Sequence, residues 1–191
     1  MKSNIIQLST LFCFLCGCGA SEQETLKEFN SLKVEVKNNY INNKEIFSEL
    51  KSCFSFKYIK VIEFKKNNDV FIEYKMSDTS KWEKTEININ NKDIKSPLNE
   101  EGVSAEYLFN LKTKLNSIKA NSIWIIDLFN RYNGSTSKGM EIKYLKEVND
   151  LHFFYKMFEK SLDSIPNEFY TLQTQDSIGG VLDKNIIFYY R

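Results

Sequence analysis

Proline and histidine are scarce in these 191 residues, at 2 and 1, and glycine stands at only 7. So little proline and glycine excludes collagen-like and low-complexity chains. With His152 as the single histidine, a histidine-based metal cluster is excluded, and a zinc site would have to join it to Cys53 and carboxylates at unrelated spacings. A dominant charge is missing too: 26 Lys and Arg face 25 Asp and Glu, which leaves no field of one sign to draw in nucleic acid. The apolar stretch near the start is about half the roughly 20 residues that span a bilayer. What is abundant is aromatic side chain, with 15 Phe, 10 Tyr and 2 Trp. A chain this long makes one domain and buries about two thirds of its unfolded surface, enough for a core without a metal or disulfide staple.

The first 20 residues read as an export signal. Lys2 is followed by Ile5-Ile6 and the apolar run Leu8 to Leu15, broken by Ser9 and Thr10, and then by the small residues Gly17, Gly19 and Ala20. The sequence Leu15-Cys16-Gly17-Cys18 resembles the lipobox of bacterial lipoproteins, with an aliphatic residue three positions before a cysteine and a small residue directly before it. The resemblance implies cleavage after Gly17, so that 1–17 is a lipoprotein signal peptide, and a diacylglyceryl thioether on Cys18, usually with an added N-acyl chain. Two or more chains anchor stably where one is marginal. Residues 18–24 are then the lipidated Cys18 and a short tether, and 25–191 a single folded domain. Losing Lys2 makes the mature chain neutral. Cys13 and Cys16 leave with the signal, so Cys53 stands alone and no internal disulfide is expected. Gly19 occupies the position where an inner-membrane retention signal of the enterobacterial kind has Asp, which implies the outer membrane.

In the remainder, hydrophobic periodicity assigns the elements. Leu26, Phe29, Leu32, Val36 and Tyr40 recur every three or four residues and predict a helix from Thr25 to about Asn38. Asn43 is placed to cap a second short helix carrying Ile46, Phe47 and Leu50. Phe54, Phe56 and Tyr58 then alternate with Ser55 and Lys57, opening a strand that runs through Phe64. A polar turn at Lys65 to Asp69 leads to Val70, Ile72, Tyr74 and Met76 on one face. Thr85, Ile87 and Ile89 make a third strand, and Asn91 to Gly102 a loop. Ser104 caps a helix with a stripe of Tyr107, Leu108, Leu111, Leu115 and Ile118. Further strands follow at Ile123 to Phe129, Met140 to Tyr144, Leu151 to Phe158 and Asn185 to Arg191, with Ser161 to Asp183 mostly irregular. The order describes an α+β domain: a largely antiparallel sheet of about six or seven strands with two or three helices packed on one face.

No motif in the folded part names a reaction. Ser177-Ile178-Gly179-Gly180 lacks the residues of a nucleophile elbow. Gly134 to Gly139 lacks the lysine and hydroxyl of a phosphate loop and joins two strands, as a hairpin turn does. Asp127 and Glu141 could face each other across that hairpin as a carboxylate pair, although a solvated charge and an edge gatekeeper explain them as well. Cys53 and His152 could form a thiol pair if both pointed into one cleft, against an inert buried thiol. No catalytic residue, metal ligand or cofactor is therefore assigned.

The aromatic excess is the stronger pointer to function. Most of it must fill the core, but Trp82, beside a polar turn, Trp124, and Phe154, on the opposite strand face from Phe153 and Tyr155, are the candidates for an exposed binding patch. In size and element order the chain is similar to the small, Asn/Lys/Ile-rich lipoproteins that Gram-negative bacteria carry in many diverged copies. That resemblance implies a lipid-anchored, non-enzymatic envelope protein, immunity-like in binding a toxin delivered into the envelope, monomeric, and partnered by an envelope or secreted protein rather than nucleic acid. Two other readings stay open: a lipoprotein that binds a small molecule or glycan in a pocket lined by Trp124, and a hydrolase built on Cys53 and His152. A flat aromatic patch favours a protein partner, and a deep pocket a ligand.

Overall fold

The computed structural model describes residues 22–90, 96–129, 136–148, 150–160 and 177–191. The expected signal peptide, the lipobox-like segment and Cys18 lie outside them, as do Gly134, Pro166, Phe169 and Tyr170. The expected α+β architecture is present, with eight strands in place of six or seven.

The first helix, α1 (Glu22–Asn42), runs further than expected and almost continues into α2 (Lys44–Leu50). The bend at Asn43 has a cause. Instead of capping α2, the Asn43 side chain donates back to the Asn39 carbonyl at 2.8 Å and to its side-chain oxygen at 3.0 Å. The alternating Phe54 and Phe56 are not yet strand. Lys51–Ser55 is a 3₁₀ turn that holds Phe54, while Phe56 follows it in extended backbone short of the first strand, and both rings are buried in the core.

Strand β1 (Ile59–Phe64) and strand β2 (Asp69–Tyr74) form the expected hairpin, in register from Ile62 opposite Ile72 to Phe64 opposite Val70. Its turn puts Asn67 and Asn68 at φ of 62° and 64°, a left-handed region that asparagine tolerates better than most residues. Met76 falls beyond the end of β2 and is exposed. Strand β3 (Glu83–Asn88) follows, then a short helix, α3 (Ser96–Glu100), inside the segment expected to be loop. Helix α4 (Ala105–Ser117) starts where the sequence places it. The Ser104 hydroxyl accepts from the Tyr107 amide at 3.0 Å, and Leu108, Leu111 and Leu115 are buried.

Strands β4 (Ala120–Phe129), β5 (Thr136–Val148) and β6 (Leu151–Phe158) form a meander, with β5 reaching back through residues expected to belong to its turn. Gly139 within it lies under the side chains of Ile126 and Leu128, where a Cβ would crowd them. The unexpected strand is β7 (Ser177–Asp183), which pairs with the C-terminal β8 (Ile186–Tyr190). The Phe188 ring lies against Gly179 and Gly180, occupying the space that a Cβ on Gly179 would need. Two glycines that argue against a strand by propensity are here what lets the ring settle.

The sheet order is β3-β2-β1-β4-β5-β6-β8-β7, with all neighbours antiparallel. Side chains alternate between its faces. One face carries a cross-strand row of Ile72, Ile62, Ile123, Ile142, Tyr155 and Phe188. This row joins Leu32, Val36 and Tyr40 of α1, Phe47 and Leu50 of α2, Leu98 of α3 and Leu108, Leu111 and Leu115 of α4 in one buried cluster. Each described helix therefore gives its apolar side to the same sheet face. Among the described residues, no helix is long and apolar enough to cross a membrane.

Candidate functional site

The other face of the sheet shows its character in one row. The registers align Lys84, Glu73, Val61, Trp124, Glu141, Lys156, Ile187 and Val181 across all eight strands. The face is thus a mixture of charge and aromatic surface, divided into an exposed half and a buried half.

The exposed half lies over β1 to β4. Trp124 projects from the middle of β4, between Val61 and Glu141, and keeps 42% of its surface in solvent. Trp82, at the entry to β3, is equally exposed. Lys60 and Lys75 place their ammonium groups 5.6 and 5.4 Å from its ring centroid, a cation–π arrangement on the indole. Lys60 also reaches Glu73 at 3.5 Å, and Lys57 meets Asp78 at 2.8 Å. The Lys57 hydrogen bond holds the Asp78 carboxyl below its usual range, while Asp78 raises the Lys57 ammonium. Phe71 lies half-buried beside them, with Lys65 and Lys84 over its ring. Two of the three expected patch residues, Trp82 and Trp124, are therefore exposed.

Phe154 is the exception. It stands on the expected face, opposite Phe153 and Tyr155, yet is only 8% exposed, because its ring stacks on Tyr189 at 5.1 Å and the Arg191 guanidinium covers it at 4.6 Å. Beside it, Glu141 and Lys156 approach to 3.3 Å with side chains only 5% and 6% exposed, and Arg191 lies 3.6 Å from the second Glu141 oxygen. The Glu141 oxygen facing Lys156 has no aligned hydrogen bond, so the pair is a charge contact more than a hydrogen-bonded one. Sequence reasoning weighed Glu141 and missed its partner. The available signal was Lys156 itself, a lone cation within Phe153-Phe154-Tyr155-Lys156-Met157-Phe158. Asp127, the partner considered for Glu141, stands opposite Lys138 in the strand register and points to the other face of the sheet, so the two carboxylates do not converge.

Cys53 and His152 are not brought together. Cys53 is buried, with its sulfur 3.3 Å from the Tyr107 hydroxyl, and burial raises its thiol pKa, which disfavours the thiolate. Its neighbours Phe54 and Phe56 accept hydrogen bonds from Lys138 at the start of β5, whereas the His152 ring contacts Glu147 at 2.9 Å near the end of that strand. Nine residues at about 3.3 Å each put roughly 30 Å of strand between those two contacts. Among the described residues no group of three His, Cys, Asp or Glu side chains is placed to hold a metal.

A cleft of about 410 Å³ opens on the helix side, between α1 and the end of β5. Its lining is Glu28, Ser31, Leu32, Glu35, Lys146, Glu147 and Val148, with no aromatic side chain and no Trp124. Glu35 accepts hydrogen bonds from Lys119 at 2.6 Å, Lys146 at 2.7 Å and the Tyr144 hydroxyl at 3.0 Å. The two lysines, Lys119 first, bring its carboxyl down to about 2. Burial, reinforced by Glu35, raises the Tyr144 phenol. This network fastens α1 to the sheet.

Fold and surface together define an α+β protein with an eight-stranded antiparallel sheet, the described helices on one face and an aromatic, charged surface on the other. No protein-family model, curated protein or solved structure matches the chain.

Proposed function

We propose that this is a lipid-anchored, non-enzymatic cell-envelope protein that binds another protein through the sheet face opposite the described helices. The observation that carries the reading is the exposure of both tryptophans of the chain on that face, among lysines and glutamates already paired with one another. Half-exposed tryptophans supply the anchors that dominate protein interfaces, and the surrounding charges form a polar rim. The lipobox-like Leu15-Cys16-Gly17-Cys18 supports a lipid on Cys18, and Gly19 supports the outer membrane as the destination. A secreted or envelope-delivered toxin is the kind of partner an immunity-like role requires. The described cleft does not favour the glycan reading, since its lining is charged and offers no ring for a sugar to stack on.

The test is a paired capture experiment. The purified protein and its Trp82→Ala, Trp124→Ala double variant are used as baits against envelope and secreted extracts, and a captured protein is then purified and titrated against both. Expected is a near-stoichiometric partner whose affinity falls at least tenfold for the double variant, a conservative figure for two interface tryptophans. An affinity unchanged by the substitutions removes the face from the interface. Capture of nothing by the unaltered bait overturns protein binding.

A further inference from the structure

We infer that the outward face of α1 rests on an anionic lipid surface, an inference that builds on lipidation of Cys18. At about 100° per residue, Leu26, Lys27, Asn30, Lys33, Val34, Lys37, Asn38 and Ile41 share an arc of roughly 140° on this helix. Phe29, Leu32, Val36 and Tyr40 point into or onto the core, and the carboxylates Glu24, Glu28 and Glu35 fall on the flank toward β5. The outward arc therefore carries three lysines and no acid. Lys27 and Lys37 make no ion pair among the described residues, and Lys33 lies only over the rings of Phe29 and Tyr190. Between the lysines stand three of the most exposed aliphatic side chains of the fold, Leu26, Val34 and Ile41, at 60%, 59% and 51%.

Three features favour lipid over protein as the occupant. Lysine is depleted from the centres of protein interfaces, and the arc has no aromatic anchor, unlike the sheet face. Unmatched lysines alternating with single aliphatic side chains suit a headgroup layer, where ammonium groups meet phosphates and the apolar tips enter the acyl boundary. Position supplies the third. Three residues lie between Cys18 and Glu22, a reach of at most about 14 Å, so a lipid on Cys18 holds the start of α1 at the bilayer and raises the local concentration of headgroups around it.

The experiment uses the full-length processed protein, purified from membranes and reconstituted into vesicles of phosphatidylcholine alone or mixed with phosphatidylglycerol. Flotation with the phosphatidylcholine vesicles reports the anchor. Amine acylation, read by peptide mass spectrometry, reports the helix face, with the exposed Lys81 and Lys84 at the β3 end of the sheet as internal references. Expected is severalfold slower acylation of Lys27 and Lys37 relative to those references in the anionic vesicles, reversed by high salt. Equal relative rates in both vesicle types overturn the inference. A chain that fails to float with phosphatidylcholine overturns the anchor reading instead, and the lysine face is then decided by protection on the anionic vesicles alone. In the Lys27→Gln, Lys33→Gln, Lys37→Gln variant, flotation should persist and the salt-sensitive protection of the remaining α1 surface, read by hydrogen exchange, should disappear; protection that survives the substitutions also overturns the inference.

Discussion

Glu35 is the residue whose surroundings make the plainest claim about stability. A carboxylate held at about 2 by Lys119 and Lys146 is ionised in the folded protein over a range where the unfolded chain, near its ordinary 4.5, takes up a proton. The depressed value therefore contributes stability that is complete above about pH 5 and fades as the pH falls toward 2. Both lysines are half-exposed, which screens the interaction, so the contribution at neutral pH is about 1–2 kcal/mol. Urea unfolding of the Glu35→Gln variant should show that deficit at pH 7 and only about a quarter of it at pH 2.5; a deficit independent of pH would mean that packing and not charge sets the role of this side chain. None of this was legible in the sequence. Glu35, Lys119, Tyr144 and Lys146 meet from three elements, and no local spacing brings them together. Ser104, by contrast, was legible as a cap, because its partner is the amide three residues on.

Among elements, legibility follows how local the deciding interaction is. Strand β6 falls where the apolar run from Leu151 to Phe158 places it, and the β1–β2 hairpin follows from alternation and an Asn-rich turn. Strand β7 went unseen because Gly179 and Gly180 answer to the Phe188 ring on the next strand. Phe54 and Phe56 imitated strand alternation because a 3₁₀ turn and the extended residue after it bury both rings. The charged pair under Arg191 belongs to this scale as well, since it joins β5 to β6 and, through the last residue, to β8. Breaking a buried pair leaves a charge without compensation, so Lys156→Met should cost about 3–5 kcal/mol. The Glu141→Met, Lys156→Met double variant should recover most of that, because two apolar side chains of similar volume remove both desolvation costs. Chemical denaturation of the two variants measures the difference, and a single variant within about 0.5 kcal/mol of the parent would show that Arg191 alone neutralises Glu141.

At the scale of the whole molecule, the two surfaces lie on opposite sides. The lysine arc of α1 faces outward from the helix layer, while Trp82 and Trp124 occupy the sheet face opposite the described helices. Composition alone shows neither surface: the chain is nearly neutral, and the division appears only when α1 lays its lysines on one side and the sheet sends both tryptophans to the other. A protein tethered at the start of α1 and resting on that helix would hold its tryptophans away from the bilayer, open to a partner. A helix of about 10–12 Å diameter and the sheet itself then separate the indoles from the lipid. Because these are the two tryptophans in the sequence, their fluorescence reads the orientation without labels. In vesicles containing phosphatidylglycerol and lipids brominated along the acyl chain, emission should match that in unbrominated vesicles, since the quencher acts on contact and the indoles do not reach it. Strong quenching would place the sheet face against the membrane and deny it to a protein partner. Unquenched emission that is then altered by a captured partner would show that the sheet face stays open to protein while the chain is held at the vesicle.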